Sequence, residues 1–304
     1  MTYSAVADEP KNSGAIYLVA TPIGNLEDIT LRALRILKEA SLIACEDTRQ
    51  TQKLLNHFGI TTSTISYHEH NEAARARELV EQAQQGRAIA IVSDAGMPGI
   101  SDPGYRVVLQ ALKHGIPVIP VPGASALVAS LAASGLPTDS FRFHGFLPAK
   151  QGQRRRALEE IGASSETEVF YEAPHRLAET LQDVVEVLGP LRPVVVAREI
   201  TKLHEEFLRG SANEVLQQLQ KREVRGEITL LIGKAVDGVE IAASPTQTLG
   251  QRMAELMREQ KLEEKDALKL VAKERGVSKS EAYRQWQQAK QLQARGSKFQ
   301  DGTS

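Results

Sequence analysis

The chain has 304 residues, of which 41% are apolar and 25% charged, with 22 Gly, 13 Pro and a formal net charge of -1. This length allows one large domain or two to three smaller ones with real cores, because single cores stop growing near roughly 250 to 300 residues. The composition excludes a fibrous or largely disordered chain, and the charge excludes a generic DNA-coating protein.

Charge is unevenly placed: Leu249–Ser304 holds 12 Lys and Arg against 8 Asp and Glu, a net of +4, so the remainder carries -5. The single cysteine, Cys45, leaves no internal disulfide and no cysteine-built metal site, and reads as a small buried hydrophobe at a strand end. Met1–Gly14 lacks a basic start and a long apolar stretch, and no apolar run approaches the ~20 residues of a membrane span, so the cytoplasm is expected.

From Gly14 onward, β-branched runs alternate with helical patterns. Strand Ile16–Ala20 leads to a helix over about Thr30–Ala40, with Leu31, Leu34 and Leu37 on one face. Strand Leu42–Cys45, helix Thr48–Phe58 and strand Thr62–Tyr67 follow, then helix Asn71–Gln85, with Gly59 and Gly86 as helix stops. Strand Ala88–Ser93 is apolar throughout, as a central parallel strand should be, and precedes helix Tyr105–His114, strand Pro117–Val121 and helix Ala124–Ala133. A five-stranded α/β domain over residues 15–125 is predicted, with a flexible segment 1–14 before it.

A second α/β domain over 126–235 is read from strands Arg142–Leu147, Glu168–Tyr171, Val194–Arg198 and Ile228–Gly233. They alternate with helices Gln153–Ile161, Pro174–Leu188 and Ala212–Arg222, the last opened by the capping-box pair Ser211 and Glu214. A linker at 236–248 separates this from a C-terminal helical domain at 249–293, with helices near Leu249–Gln260, Glu263–Arg275 and Lys279–Leu292, and a flexible tail at 294–304. The short Gly276–Ser278 turn suits either a helix-turn-helix that contacts nucleic acid or plain helical packing and dimer support.

Ligands in an α/β sheet sit beyond the carboxyl ends of strands, and three such loops here are rich in Gly and Pro. They are Thr21–Asn25, Ser93–Gly104 and Pro120–Ala126. The second, SDAGMPGISDPG, spends three Gly, two Pro and two Asp between a strand and a helix; it reads as a functional loop or as an ordinary turn with Asp102 as helix cap. GxGxxG, a Walker loop, HExxH and GxSxG are all missing, which speaks against a dinucleotide site, a P-loop, a zinc protease and a serine hydrolase. His68 and His70 read as solvated or hydrogen-bonding side chains, and no metal site is expected. In Arg198–Glu205, the charges of Arg198, Glu199, Lys202 and Glu205 are expected to hold one another in place or to pair on the surface.

Six segments together carry a specific resemblance: Val19–Arg49, Ser93–Gly104, Val118–Ala126, FHGFLPAK (Phe143–Lys150), FYEAPHRL (Phe170–Leu177) and AREITKLHEE (Ala197–Glu206). On these the chain resembles the tetrapyrrole (corrin/porphyrin) methylase superfamily, in its branch that methylates a ribose 2′-hydroxyl of ribosomal RNA, over about Ala15–Gln291.

The resemblance implies two α/β domains with the cofactor, S-adenosyl-L-methionine, in the cleft between them, and a homodimer. The implied reaction is 2′-O-ribose methylation of a cytidine in the decoding region of 16S rRNA, within the 30S subunit. It places the cofactor against Pro22, Ile23, Gly24, Asp94, Ala95, Gly96, Ser125 and Ala126, with Phe170 and Tyr171 from the second domain.

A ribose hydroxyl is a weak nucleophile, so a proton acceptor is expected among Lys202 and Glu199, then Asp47 and Glu46. Arg49, Lys150, Arg154, Arg155, Arg156, Arg176 and Arg198 are expected on phosphates, with His68 or Tyr171 against bases; for Arg154–Arg156 a solvated helix face is the other reading. Relatives often carry Thr where Met97 stands, which leaves a side-chain role there in doubt. The alternatives are methylation of a tetrapyrrole precursor and a non-catalytic ribosome-assembly factor. The TPIGN loop and the appended basic helices argue against the first, the intact SDAGMPGISDPG and GASA loops against the second.

Overall fold

The computed structural model describes residues 14–220 and 223–234, and beyond them 253, 256–258, 262–274, 282–284, 286–287 and 290. By contacts, the chain up to Ala133 together with Arg198–Glu206 forms one unit, and Ser134–Ala197 with the chain from Phe207 onward forms a second. The sequence reading divides the chain at 125/126, whereas the contacts keep residues 126–133 with the strand that precedes them.

In the first unit, β1 (Ala15–Val19), β2 (Leu42–Cys45), β3 (Thr64–Ser66), β4 (Ala88–Val92) and β5 (Val118–Val121) form one sheet in the order β3-β2-β4-β1-β5. Every pairing in it is parallel. Because side chains alternate along a strand, Ala15, Tyr17 and Val19 of β1 pack with Ala33, Ile36 and Leu37 of α1 (Leu31–Glu39) and Leu55 of α2 (Thr48–His57). Ile16 faces the other way, against Leu79 and Ala83 of α3 (Glu72–Gln84) and Val107 and Ala111 of α4 (Tyr105–Lys113). Burial on both faces explains the nearly unbroken apolar runs of β1, β2 and β4. Helix α5 (Ala126–Ser134) completes the unit.

The strand order places β1 between β4 and β5, so the three Gly- and Pro-rich loops leave neighbouring strands at one edge, with the end of β2 beside β4.

The second unit holds β6 (Phe141–Phe146), β7 (Thr167–Glu172), β8 (Pro193–Arg198), β9 (Glu206–Ser211) and β10 (Ile228–Ile232) in the order β6-β7-β10-β8-β9. It is a mixed sheet: β6 pairs parallel with β7, and β10 antiparallel with it. Helices α6 (Gln151–Glu160), α7 (Leu177–Leu188) and α8 (Ala212–Leu219) supply Leu158, Leu181, Val184 and Leu216 to one core with Phe170, Val196 and Leu230. Strand β9 is missing from the sequence reading. Its six residues, EFLRGS, include Gly210 and two charges, a weak alternation for a strand that ends the sheet. The Ser211–Glu214 capping box is present as predicted.

Beyond these sheets, helix Glu264–Glu274 packs Ala267, Leu268, Val271 and Ala272 against Met253, Leu256, Ala282 and Trp286 in a small core of its own. The expected N-terminal segment (residues 1–13), the linker 236–248 and the tail 294–304 lie outside the described residues, as do parts of the helices expected at Leu249–Gln260 and Lys279–Leu292. Among the described residues, no helix is long and apolar enough to cross a membrane.

Candidate functional site

The carboxyl edge of the first sheet is built from backbone that only small residues allow. Thr21, just past β1, forms an antiparallel bridge with Gly96, its N–H donating to Gly96 O at 2.9 Å and its carbonyl accepting from Gly96 N at 3.1 Å. Its hydroxyl donates to Ser93 O at 3.1 Å. Gly96 needs its left-handed φ of +79° to make this pairing. Across the same edge, a Cβ at Gly123 would lie 2.9 Å from that of Ala20, so the β1 and β5 loops approach as closely as glycine permits.

On this frame Ile23 and Gly96 are buried, Pro22 half-buried, and Gly24, Asp94 and Ala95 exposed. Ser125 accepts a long bond from Val128 N at 3.4 Å at the start of α5, of which Ala126 is the first residue. The eight first-unit positions expected at the cofactor thus share one edge, and they present mostly backbone.

Segment Arg198–Glu206 joins two strands of the second sheet but counts with the first unit. Glu199 and Thr201 hold positive φ, +52° and +69°, which non-glycine residues rarely adopt. Thr201 is tied at both ends: its hydroxyl donates to Asp28, and its N–H donates to Glu205 at 2.6 Å. Lys202 Nζ donates to Glu199 Oε1 at 2.8 Å, and its stem lies across Gly24, where a Cβ would come within 2.7 Å of Lys202 Cε. Pairing inside the predicted charge group therefore holds for Lys202 and Glu199, whereas Arg198 bonds Glu206 at 3.2 Å.

The carboxyl edge of the first sheet also carries carboxylates of like sign. Burial, then the Asp94 charge, raises the Glu46 carboxyl above its usual range. Asp102 is pushed up to about 6 by burial first and then by Glu46 and Asp94. Sequence reasoning treated Asp102 only as a possible helix cap, and the structure does not use it so. The missed signal is the second Asp of SDAGMPGISDPG, whose importance depends on Glu46 arriving from a different strand. Asp47 behaves oppositely: it caps α2 through Arg49 N at 2.8 Å and pairs with the Arg49 guanidinium, and those bonds hold it below the usual carboxylate range. These bonds make Asp47 the N-cap of α2 and a weaker base than Glu46.

In the second unit, several expected contacts turn inward. Phe170 is 2% exposed and stacks on His144 within the core, so its side chain is withdrawn from the cofactor set. Tyr171, on the opposite face of β7, is half-buried against Phe143 and Phe146. Arg154 is 1% exposed and bonds Asp183 at 2.7 Å; it is an interior ion pair and no longer a phosphate ligand. Arg155 shares Asp183 and reaches Glu186, and Arg176 is tied to the buried Glu172 at 2.6 Å. Lys150 and Arg156 are exposed. In the first unit Arg49 projects outward with its side chain 87% accessible, and His68 lies half-buried with Nε2 near Asn71 Nδ2. Among the described residues, no group of His, Cys, Asp or Glu has the arrangement to hold a metal ion.

The model for tetrapyrrole (corrin/porphyrin) methylases matches residues 15–216. The chain is 51% identical over 278 residues to the ribosomal RNA small subunit methyltransferase I of Halalkalibacterium halodurans, covering 90% of this chain and 94% of that protein. The protein of the same name from Escherichia coli O157:H7 is 44% identical over 276 residues, again covering 90% and 94%. Among solved structures, the uroporphyrin-III C-methyl transferase of Thermus thermophilus complexed with S-adenyl homocysteine superposes with a TM-score of 0.52 at 25% identity, over 73% of this chain and 98% of that one. Both α/β units are of that fold, and the C-terminal helices lie beyond the family match. The chain belongs to the tetrapyrrole (corrin/porphyrin) methylase family and, within it, to the ribosomal RNA small subunit methyltransferase I group.

Proposed function

We propose that this chain transfers a methyl group from S-adenosyl-L-methionine to the 2′-hydroxyl of a cytidine in the decoding region of 16S rRNA. The observation that carries this reading is the convergence of three Gly- and Pro-rich loops at one sheet edge, with the Lys202–Glu199 ion pair packed onto the first of them.

The edge suits the cofactor. Gly123 leaves no room for a Cβ beside Ala20, and Gly96 holds a left-handed φ of +79°, so Pro22–Gly24, Asp94–Gly96 and Ser125–Ala126 offer backbone polar groups at close range. The bound cofactor supplies an electrophilic methyl carbon on a cationic sulfonium. What remains for the protein is alignment of the 2′-oxygen, exclusion of water and a place for the hydroxyl proton. Glu199 accepts that proton as the new O–CH3 bond forms and the sulfonium bond breaks, and the Lys202 ammonium faces the developing alkoxide. Glu46, its carboxyl raised by burial and by Asp94, is the second acceptor in this reading.

The RNA contacts belong to Arg49, Lys150 and Arg156 as exposed cations, with Arg155, Arg176 and Arg198 at the margin and His68 and Tyr171 available to bases. The same reading makes the working form a cytoplasmic homodimer acting on the 30S subunit. Purified 30S particles lacking this modification, incubated with enzyme and labelled S-adenosylmethionine and then digested to nucleosides, should yield labelled 2′-O-methylcytidine. Unlabelled RNA in the presence of an enzyme that still binds the cofactor overturns the proposal.

A further inference from the structure

Helix α4 begins at the end of the Ser93–Gly104 loop, and its N-cap residue is Gly104, which has no side chain to satisfy the first backbone N–H groups. The acceptor comes from another helix. Glu72, the first residue of α3, takes three bonds on Oε1: from Gly104 N at 3.0 Å, Arg106 N at 3.2 Å and the Tyr67 hydroxyl at 2.9 Å. Its Oε2 faces Arg106 Nε at 3.2 Å.

The carboxylate is well suited to this place. It sits at the positive end of α4, where an anion is favoured. Tyr67 is 1% exposed, and burial followed by the Glu72 carboxylate raises its phenol, which stays a proton donor. Glu72 is itself fixed, because Asn71 accepts from His68 N at 2.9 Å and donates to Ser66 O at 3.3 Å, anchoring the start of α3 to the end of β3.

The loop that ends here is under constraint. Ser101 holds φ +62°, and Gly99 and Gly104 press together so closely that a Cβ on Gly104 would lie 2.8 Å from Gly99 N. Its other end is fastened by Thr21 through Ser93 O and Gly96. A segment pinned at both ends keeps the backbone around Asp94–Gly96 in one conformation; released at one end, it gains freedom that a ligand must then remove.

We propose that Glu72 is a positioning residue for methyl transfer, clamping the far end of the Ser93–Gly104 loop through the Gly104 and Arg106 amides so that its near end is preorganised for the cofactor. This rests on the reading that the loop binds S-adenosylmethionine.

The test compares E72A, E72D, E72Q and R106A in the full chain, at a temperature where circular dichroism shows all to be folded. Calorimetric Kd for S-adenosylmethionine is measured alongside KM and kcat with 30S particles. Glu72→Ala, and Glu72→Asp, one methylene too short to reach both amides, are expected to raise Kd and KM for the cofactor about tenfold with kcat within twofold. Glu72→Gln, which keeps an accepting oxygen, should stay within about threefold of the parent, and Arg106→Ala should match it. If E72A does not fold, the contrast between E72D and E72Q decides. Cofactor Kd and KM unchanged in E72D overturn the clamp, and so does R106A weakening binding as E72A does, since the ion pair rather than the amides would then be responsible. Failure of the parent enzyme to label RNA removes the proposed reaction but leaves the Kd series to decide the clamp.

Discussion

The two sheet-bearing units handle charge in opposite ways. The second buries carboxylates against arginines: Arg154 and Arg155 on Asp183 and Arg176 on Glu172, with both carboxylates at 0% side-chain accessibility. The first sets Glu46 and Asp102 near the Asp94 charge at a sheet edge, where burial and then like-charge repulsion raise the carboxyls of Glu46 and Asp102. Paired burial serves the fold, because each ion is solvated by its partner. Like-charge crowding costs stability and marks an edge shaped for chemistry.

The sharpest way to break this contrast is to unpair the second unit. Arg154→Ala leaves Asp183 in the interior with less than its full set of partners, and the expected loss is about 3 to 5 kcal/mol of folding free energy. Denaturant unfolding followed by circular dichroism measures it. Arg154→Met, which fills the volume without the charge, should fare no better, because Asp183 loses the same partner, and the double variant with Asp183→Leu should recover much of the loss. A loss under about 1 kcal/mol in R154A would show that Arg155, together with Gln151, whose amide donates to Asp183 at 3.2 Å, is enough to solvate that carboxylate.

In the first unit the expected effect is on turnover. On the proposed reading, in which the Lys202 ammonium faces the developing alkoxide, Lys202→Ala should lower kcat by roughly a hundredfold with a melting temperature close to the parent's. Gly24→Ala should reproduce much of that loss from a distance, because its Cβ takes the space of the Lys202 stem. Steady-state methyl transfer separates the two from folding defects, and full activity in K202A removes Lys202 from the chemistry. Smaller still, Arg156→Ala is expected to weaken 30S binding by about 1 kcal/mol and to flatten its salt dependence by about one unit, a result distinct from any effect on the cofactor.

These contrasts bear on what a sequence shows. The first sheet was legible nearly strand by strand, because strands buried on both faces are apolar runs and each is followed by a glycine-bounded helix. The three loops were legible for the same reason: Gly and Pro mark them. Partners in space were not. Arg154, Arg155 and Arg156 look alike on paper, and only the packing of α6 on α7 sends the first to Asp183 and leaves the third outside. Phe170 and Tyr171 are adjacent, so one of them had to face the core, and which one depends on the register of β7 with β6 and β10. Strand β9 had too little pattern to see, and Asp102 gained its meaning from Glu46, a residue of another strand's end.

The smallest expected effect tests the cost of the like-charge edge directly. Asp102 has a folded-state value near 6, above its value of 3.8 when free. Such a group favours folding most when protonated: its contribution is fully present below the unfolded value and is lost as pH rises through about 6. Above that range the ionised carboxylate opposes folding, so Asp102→Asn, which keeps the shape and loses the charge, should stabilise the protein at pH 7.5 by something under about 1 kcal/mol, since the side chain retains contact with water. At pH 4 the two forms should melt alike. Thermal melts of both proteins at the two pH values give the comparison. A D102N melting temperature equal to the parent's at both would mean that neither burial nor the charges of Glu46 and Asp94 act on the Asp102 carboxylate, and that this edge carries no cost of ionisation.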